Sequence, residues 1–348
     1  MKSTSGNFFE DFQLGQRLVH ATPRTLGDAD ATLYAALTGS RFILQASAPF
    51  ARRLGYPGRP LDDLLVFHIV FGKSVPDISL NAIANLGYAE GRFFRSVHAG
   101  ETLHATSQVI GLKENSGGDS GVVYVRTEGL DEDDECVVQF TRWVMLKKRT
   151  PGSPAPRPHI PELAASVDAA SLLPPNHVDF GALFDSAQSG SRLLWDDYET
   201  GEKIDHIDGA TVEEAEHMMA TRLYQNVARV HFNQAEQAKS RFAARLVYGG
   251  HVISLARGLS FNGLANAVQI LAINGGRHVN PVFAGDTLFA WSEVLDRHEL
   301  RKDCGALRLR LVATKNVACR DFPLWEMDGK YRDNVVLDFD YWALMPRR

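Results

Sequence analysis

The residues with the most chemical capacity stand close together in the second half of the chain, in the run Tyr224-Gln225-Asn226-Val227-Ala228-Arg229-Val230-His231. His231 carries an imidazole, which changes charge near neutral pH and can take up a proton and return it. Asn226 can orient a water molecule or hold that imidazole, but it cannot act as a base. Arg229 offers a guanidinium fork, the shape that matches a carboxylate. Further along, Gly249-Gly250-His251 precede a mostly apolar stretch that reads as a helix. Free N–H groups at a helix N-terminus bind developing negative charge, and glycine allows a close approach. These types supply a proton carrier, a group that orients water and a place for charge on an oxygen.

Asp62 and Asp63 open another apolar run, Leu61 to Phe71. Acids at a helix start are favoured by the helix dipole; the same acids, if buried, need partners or a task. Other chemistries find little support. Cys136, Cys304 and Cys319 are odd in number and have no CxxC spacing, so neither a disulfide framework nor a zinc knuckle is expected, and a reducing compartment is. Histidines and cysteines form no metal-ligand pattern, and no Gly-x-Ser-x-Gly elbow is present. Water is therefore the expected nucleophile. The 348 residues include 37 basic and 42 acidic side chains, a net charge of -5. That balance gives no general attraction to nucleic acid or to an anionic membrane. No secretory leader and no membrane-spanning run is read, so a cytoplasmic protein is expected. The run Asp131-Glu132-Asp133-Asp134-Glu135 reads as a solvated hairpin loop.

The elements that must position these groups are written twice. A shift of 186 residues carries Asp11, Phe12 and Gly15 onto Asp197, Tyr198 and Gly201. A shift of 185 carries Ala99-Gly100-Glu101-Thr102-Leu103 onto Ala284-Gly285-Asp286-Thr287-Leu288, and one of 199 carries Phe140 and Trp143 onto Phe339 and Trp342. Two copies of one unit are predicted, 1–150 and 190–348, joined by a Pro-rich linker over 151–189. In each copy a first helix (Asp30 to Thr38, Glu213 to Tyr224) precedes an apolar one (Leu61 to Phe71, Val252 to Leu264). Strands follow, among them Gly121 to Arg126, Cys136 to Leu146, Ala306 to Leu311 and Val335 to Met345. The expected class is α+β, an antiparallel sheet wrapped around a central apolar helix, twice over.

That order resembles the hot-dog fold, and two copies resemble a double hot dog. The Ala284–Leu288 strand opening, the Tyr248-Gly249-Gly250 entry to the helix and the Tyr224–His231 run are similar to the MaoC-like, R-specific enoyl-CoA hydratases. That family has Gly-Asp-x-Asn-Pro-Ile-His where this chain has Gln225 to His231. Over nearly all of both halves the chain resembles the mesaconyl-CoA hydratase (β-methylmalyl-CoA dehydratase) branch. The likeness includes Phe8-Phe9-Glu10-Asp11-Phe12, Gly58-Arg59-Pro60-Leu61-Asp62-Asp63 and Asn85-Leu86-Gly87-Tyr88-Ala89-Glu90-Gly91.

The resemblance implies a hydro-lyase that reversibly dehydrates (2R,3S)-β-methylmalyl-CoA to mesaconyl-CoA (the C1 thioester), as in the ethylmalonyl-CoA pathway. No cofactor beyond the CoA of the substrate is implied. His231 takes the acid/base role, and the 249–251 turn holds the thioester oxygen. Asn226 stands where the family has Asp, so a carboxylate such as Glu236, Asp62 or Asp63 is a candidate replacement. Arg229, with Arg41 as its rival from the first copy, is the candidate for the substrate's free carboxylate; Tyr224 and Asp62 join the pocket. Lys239, Arg241 and Arg257 are candidate contacts for the CoA phosphates. The first copy has Ser40, Phe42 and Gln45 at the motif positions, and Tyr56-Pro57-Gly58 as the counterpart of the glycine turn. Copy two then carries the chemistry, while copy one shapes the acyl-CoA tunnel. A thioesterase and a non-catalytic acyl-CoA-binding protein remain alternatives, and association into dimers or trimers of the chain is expected.

Overall fold

The apolar stretches become two buried helices, and the alternating stretches become one sheet. The computed structural model describes residues 2–348. In the first half, β1 (Arg17–Thr25) leads to α1 (Asp28–Thr38), α2 (Asp63–Ile78), β2 (Ala82–Phe93), β3 (Thr102–Glu114), β4 (Ser120–Leu130) and β5 (Cys136–Lys147). The second half repeats the order: β6 (Lys203–Thr211), α3 (Glu214–Leu223), α4 (Gly249–Leu259), β7 (Gln269–His278), β8 (Thr287–Arg301), β9 (Cys304–Lys315) and β10 (Val335–Pro346). The strands form one antiparallel sheet in the order β1-β3-β4-β5-β2-β7-β10-β9-β8-β6. This order reads the same from either edge once the halves are exchanged. The halves join at β2 and β7, where Tyr88 pairs with Gly276 and Arg92 with Ala272.

The sheet curls around α2 and α4. Every residue of α2 from Asp63 to Val75 is buried, as is α4 from Gly250 to Gly258. A helix enclosed on all sides has to be apolar all round, which is why neither run alternates with a polar face. Phe67, Phe140, Tyr224, Ile253 and Leu337 belong to one continuous core shared by both halves. Each central helix also meets a backbone segment of the other half. A Cβ on Gly72 would lie 1.8 Å from the Tyr224 carbonyl oxygen, and one on Gly258 would lie 2.2 Å from that of Thr38. A shift of 186 residues carries Gly72 onto Gly258 and Thr38 onto Tyr224, so the two crossings are equivalent.

The repeated motifs are chain reversals. Asp11 and Asp197 each accept the N–H three residues earlier, on Phe8 and Leu194, at 2.9 and 2.8 Å. Arg149 and Arg348 pair with them in turn. Gly100 and Gly285 follow at φ 104 and 93, a region open mainly to glycine.

Four expectations change. The helix expected to end at Phe71 runs on to Ile78 through Pro76, because a proline in the last turns forfeits only one hydrogen bond. The helix expected over Val252–Leu264 starts at Gly249 and stops at Leu259, and a separate turn at Phe261–Leu264 contains Gly263 at φ 104. The 151–189 segment is more than a linker. It buries Val167, Leu172, Val178 and Phe180 against Phe50, Leu271 and Trp342, and Val167 accepts the Trp342 indole N–H at 3.3 Å. The acidic run does form the β4–β5 hairpin loop, but Asp131 is buried, pairs with Arg95 and accepts the N–H groups of Asp133 and Glu135. Among the described residues, no helix is long and apolar enough to cross a membrane.

Candidate active site

A cavity of about 940 Å³ lies where the two halves meet. One wall comes from the end of α2, β2 and β5; the other comes from residues 226–252 and the end of β7. Of the residues singled out from the sequence, it gathers Asn226, Arg229, His231 and Gly249, with Glu236, Lys239 and Arg241. Lys239, Arg241 and Glu236 are exposed, whereas Asn226 is buried.

The motif loop turns sharply after α3. Gln225 has φ 53, the left-handed conformation, at the position where the family pattern has glycine. The Asn226 side-chain oxygen accepts the Ala228 N–H at 3.0 Å and so fixes the turn into a one-turn helix, Arg229–Phe232. This leaves the amide nitrogen of Asn226 as its donor toward the cavity. His231 Nδ1 lies 3.0 Å from the Leu246 carbonyl oxygen. A carbonyl only accepts, so Nδ1 carries the proton and Nε2 keeps its lone pair. Burial pushes His231 down to about 4, which keeps the ring neutral at neutral pH, with the Nε2 lone pair free to accept.

Helix α4 begins beside this loop. Its N-cap residue is Tyr248, which makes no side-chain capping bond. Among the described residues, the N–H groups of Gly249 and Gly250 have no acceptor. A Cβ on Gly249 would sit 2.5 Å from the His278 ring, so glycine is what lets the helix end and that ring share the wall. His278 Nε2 lies 3.1 Å from the Tyr88 hydroxyl, and burial pushes this histidine down to about 4 as well. The Tyr248 and His231 rings meet edge to face at 5.5 Å.

His278, Tyr88, Tyr248, Asn85 and Arg142 also line the cavity and were not singled out from the sequence. The amide of Asn85 has neither its nitrogen nor its oxygen partnered. One of the five left a legible signal. Arg142 is in step with Val138, Phe140, Val144 and Leu146 on β5, so the strand alternation turns a charge inward.

Several sequence candidates lie elsewhere. Tyr224 is a core side chain; its ring packs 4.7 Å from that of His68 and 5.9 Å from that of Tyr248, while its backbone closes on Gly72. His251 is buried because it lies in the first turn of a fully enclosed helix, and burial pushes it down to about 3. Gly250 is buried too, and a Cβ there would meet Tyr248 at 2.4 Å and His68 at 2.6 Å. Arg41 is exposed, with its guanidinium 4.5 Å over the Phe261 ring, away from the cavity. Asp62 caps α2, accepting the Leu64 N–H at 2.9 Å, and Asp63 accepts the Ile270 N–H at 2.8 Å; neither reaches the cavity. Desolvation, aided by Asp62, raises Asp63 to about 8. Arg257 is buried against Phe42 at 3.6 Å and cannot meet a phosphate at the surface. The counterpart of Tyr248-Gly249 is Asp62-Asp63, where α2 begins, and not Tyr56-Pro57-Gly58.

One ten-stranded sheet wrapped around two buried helices, with the His231–Asn226 loop and the uncapped start of α4 facing one cavity, places the chain among the double hot-dog proteins. The comparisons agree. Residues 2–318 match the mesaconyl-CoA hydratase family. Identity to the β-methylmalyl-CoA dehydratase of Chloroflexus aurantiacus is 60% over 349 residues, covering 100% of this chain and 99% of that one. Identity to the mesaconyl-CoA hydratase of Cereibacter sphaeroides is 56%, with 100% of both covered. A solved MaoC domain dehydratase from Chloroflexus aurantiacus superposes with a TM-score of 0.98 at 59% identity, over 100% of this chain and 99% of that chain. A Mycobacterium tuberculosis protein described as having a double hot-dog fold superposes with a TM-score of 0.75 at 25% identity, over 99% of each chain. The chain belongs to the mesaconyl-CoA hydratase family, and it is an enzyme of the hydro-lyase class.

Proposed function

We propose that the chain reversibly adds water to the C1 thioester of mesaconyl-CoA, giving (2R,3S)-β-methylmalyl-CoA. The observation that carries this reading is the shared cavity wall of His231, with a free Nε2, and the uncapped start of α4 at Gly249. His231 Nε2 takes a proton from water as the oxygen bonds to the β-carbon. The charge that moves onto the thioester oxygen is held by the N–H of Gly249, the glycine of the turn that lines the cavity, and by the helix dipole. The imidazolium then returns its proton to the α-carbon, so water and thioester balance the reaction without a further cofactor. Asn226 donates to the water oxygen and orients it. It supplies no charge, and the substrate's own carboxylate takes part of that role. Lys239 and Arg241, exposed on the rim, meet the phosphates of CoA.

The test is purified enzyme with mesaconyl-C1-CoA, followed as loss of the conjugated enoyl-thioester absorbance, with crotonyl-CoA alongside. Fast loss with the first and little with the second is expected. Release of free thiol without hydration would assign a thioesterase instead. Tight binding with neither reaction would assign a binding protein.

A further inference from the structure

We infer that Arg142 holds the free carboxylate at the far end of the acyl group and thereby selects a methyl-branched, five-carbon diacid thioester over a plain enoyl one. The inference rests on the hydratase reading above and names the specificity-determining residue within it.

Arg142 is fully buried, lines the cavity and pairs across the sheet with Tyr88. Its guanidinium meets only neutral groups. Ser74 accepts at 2.9 Å, Ser79 at 3.4 Å, and the Phe71 ring lies 4.2 Å away. Its Nε has no partner, and among the described residues no carboxylate forms an ion pair with it. Burial pushes Arg142 down to about 10, which still leaves it charged at neutral pH. A buried charge without a counter-ion is costly to keep, and the chain gains nothing from it when the site is empty. Arg257, the other buried arginine among the described residues, is better provided for: it donates to the Ser260 hydroxyl at 2.9 Å and to the Ala267 carbonyl, and it lies near enough to Asp62 to oppose the burial that raises that carboxyl. At Arg142 the missing anion is one that arrives with the substrate.

Position supports the same assignment. The remaining cations of the cavity wall are half-buried (Arg229) or exposed (Lys147, Lys239, Arg241). The large CoA portion must stay at the open end, so the distal carboxylate is the part of the substrate that reaches deepest. Tyr88 links Arg142 to the thioester site: it pairs with Arg142, bonds His278 Nε2 at 3.1 Å, and His278 abuts Gly249. Arg229, by contrast, already donates to the Asn81 side-chain oxygen at 3.1 Å, and a partly exposed guanidinium discriminates little between an anion and a methyl group.

The experiment compares kcat/KM for mesaconyl-C1-CoA with that for tigloyl-CoA, which carries a methyl group in place of the carboxylate. Wild type, R142Q, R142K and R229Q are measured, each with its melting temperature without and with mesaconyl-CoA. In R142Q the preference for the diacid is expected to fall by about 10²-fold or more, the range for truncating one member of a buried charge pair. In R142K, which keeps the charge but loses the fork, part of the preference returns. R229Q changes it by no more than about threefold. Empty R142Q is expected to melt no lower than wild type, since it has lost an unpaired charge, and mesaconyl-CoA no longer raises its melting temperature. A preference intact in R142Q, a preference lost in R229Q instead, or an R142Q that melts far below wild type or fails to fold would overturn the inference and make Arg142 structural. A wild type inactive on mesaconyl-CoA removes the hydratase reading and this inference with it. A wild type active on it, with the R142Q preference unchanged, removes this inference alone.

Discussion

The two central helices, α2 and α4, begin 186 residues apart on equivalent scaffolds and treat their first N–H groups in opposite ways. At α2 the chain answers its own helix end. Asp62 accepts the Leu64 N–H at 2.9 Å, and Ser40, at the position of Asn226, donates to Asp62 at 3.3 Å. Gln45, at the position of His231, donates to the Val268 carbonyl at 3.4 Å. Arg257 and Phe42 fill the space between. At α4 the cap residue is Tyr248, no side chain caps, and a cavity lies in front. The lesson is that a helix N-terminus becomes a site for developing charge where the chain withholds its own cap. The same fold, capped, is packing.

Acid should have the largest effect, on the scaffold that both helix ends share. His231, His206 and His278 of the second half are pushed down to about 4 and His251 to about 3, and in the first half burial pushes His68 well down and His20 and His98 down as well. Their folded pKa lies below the ordinary value near 6.5, so unfolding takes up protons. The stability they allow is complete above pH 6.5 and is lost as pH falls from there toward 4, at up to about 1.4 kcal/mol per pH unit for each group. Calorimetry at pH 7 and pH 5 should show a markedly lower melting temperature at pH 5; equal values would show that these rings are not buried neutral.

Next in size is Gly249→Ala. The added methyl meets the His278 ring at 2.5 Å and displaces the N–H groups from the thioester oxygen. Steady-state kinetics should give a kcat lower by about 10²-fold, the scale of one lost oxyanion donor, with KM little changed. A raised KM with normal kcat would mean the turn only binds. Asp62→Ala sharpens the contrast from the other half. It removes the α2 cap and should cost about 1–2 kcal/mol of stability in a denaturant titration, while folded enzyme keeps its kcat. A collapse of kcat without loss of stability would move Asp62 into the chemistry. The smallest effect is expected of Asn226→Asp. Activity should stay within about tenfold: the Asp still accepts the Ala228 N–H, and its second oxygen accepts a water proton in place of the amide's donation to the water oxygen. The acidic limb of the kcat/KM profile should rise in pH, because a carboxylate near His231 favours the imidazolium.

Much of the scaffold was legible in the sequence because its signals are local. The repeated Asp11 and Asp197 reversals, the Gly100 and Gly285 turns and the inward alternation of β5 and β10 can each be read from a few neighbouring residues. What escaped depends on neighbours distant in the chain. The edge strands β1 and β6 are largely solvent-facing and carry no apolar alternation, while β2 is rich in alanine and glycine. The motif loop was found with Asn226 and His231, but Tyr224 turned inward because the Gly72 crossing pulls its backbone onto α2. His278 and Arg142 join the site only when β7 and β5 are laid beside the other half, and no spacing along the chain announces that meeting.

The central claim is that chemistry belongs to the second half. It is tested most directly by the initial rate of mesaconyl-C1-CoA hydration in His231→Ala beside Gln45→Ala, both confirmed folded. The account predicts a loss of about 10²–10⁴-fold for His231→Ala and a rate within about twofold of wild type for Gln45→Ala. Wild-type rates in His231→Ala, or a comparable loss in Gln45→Ala, would contradict it.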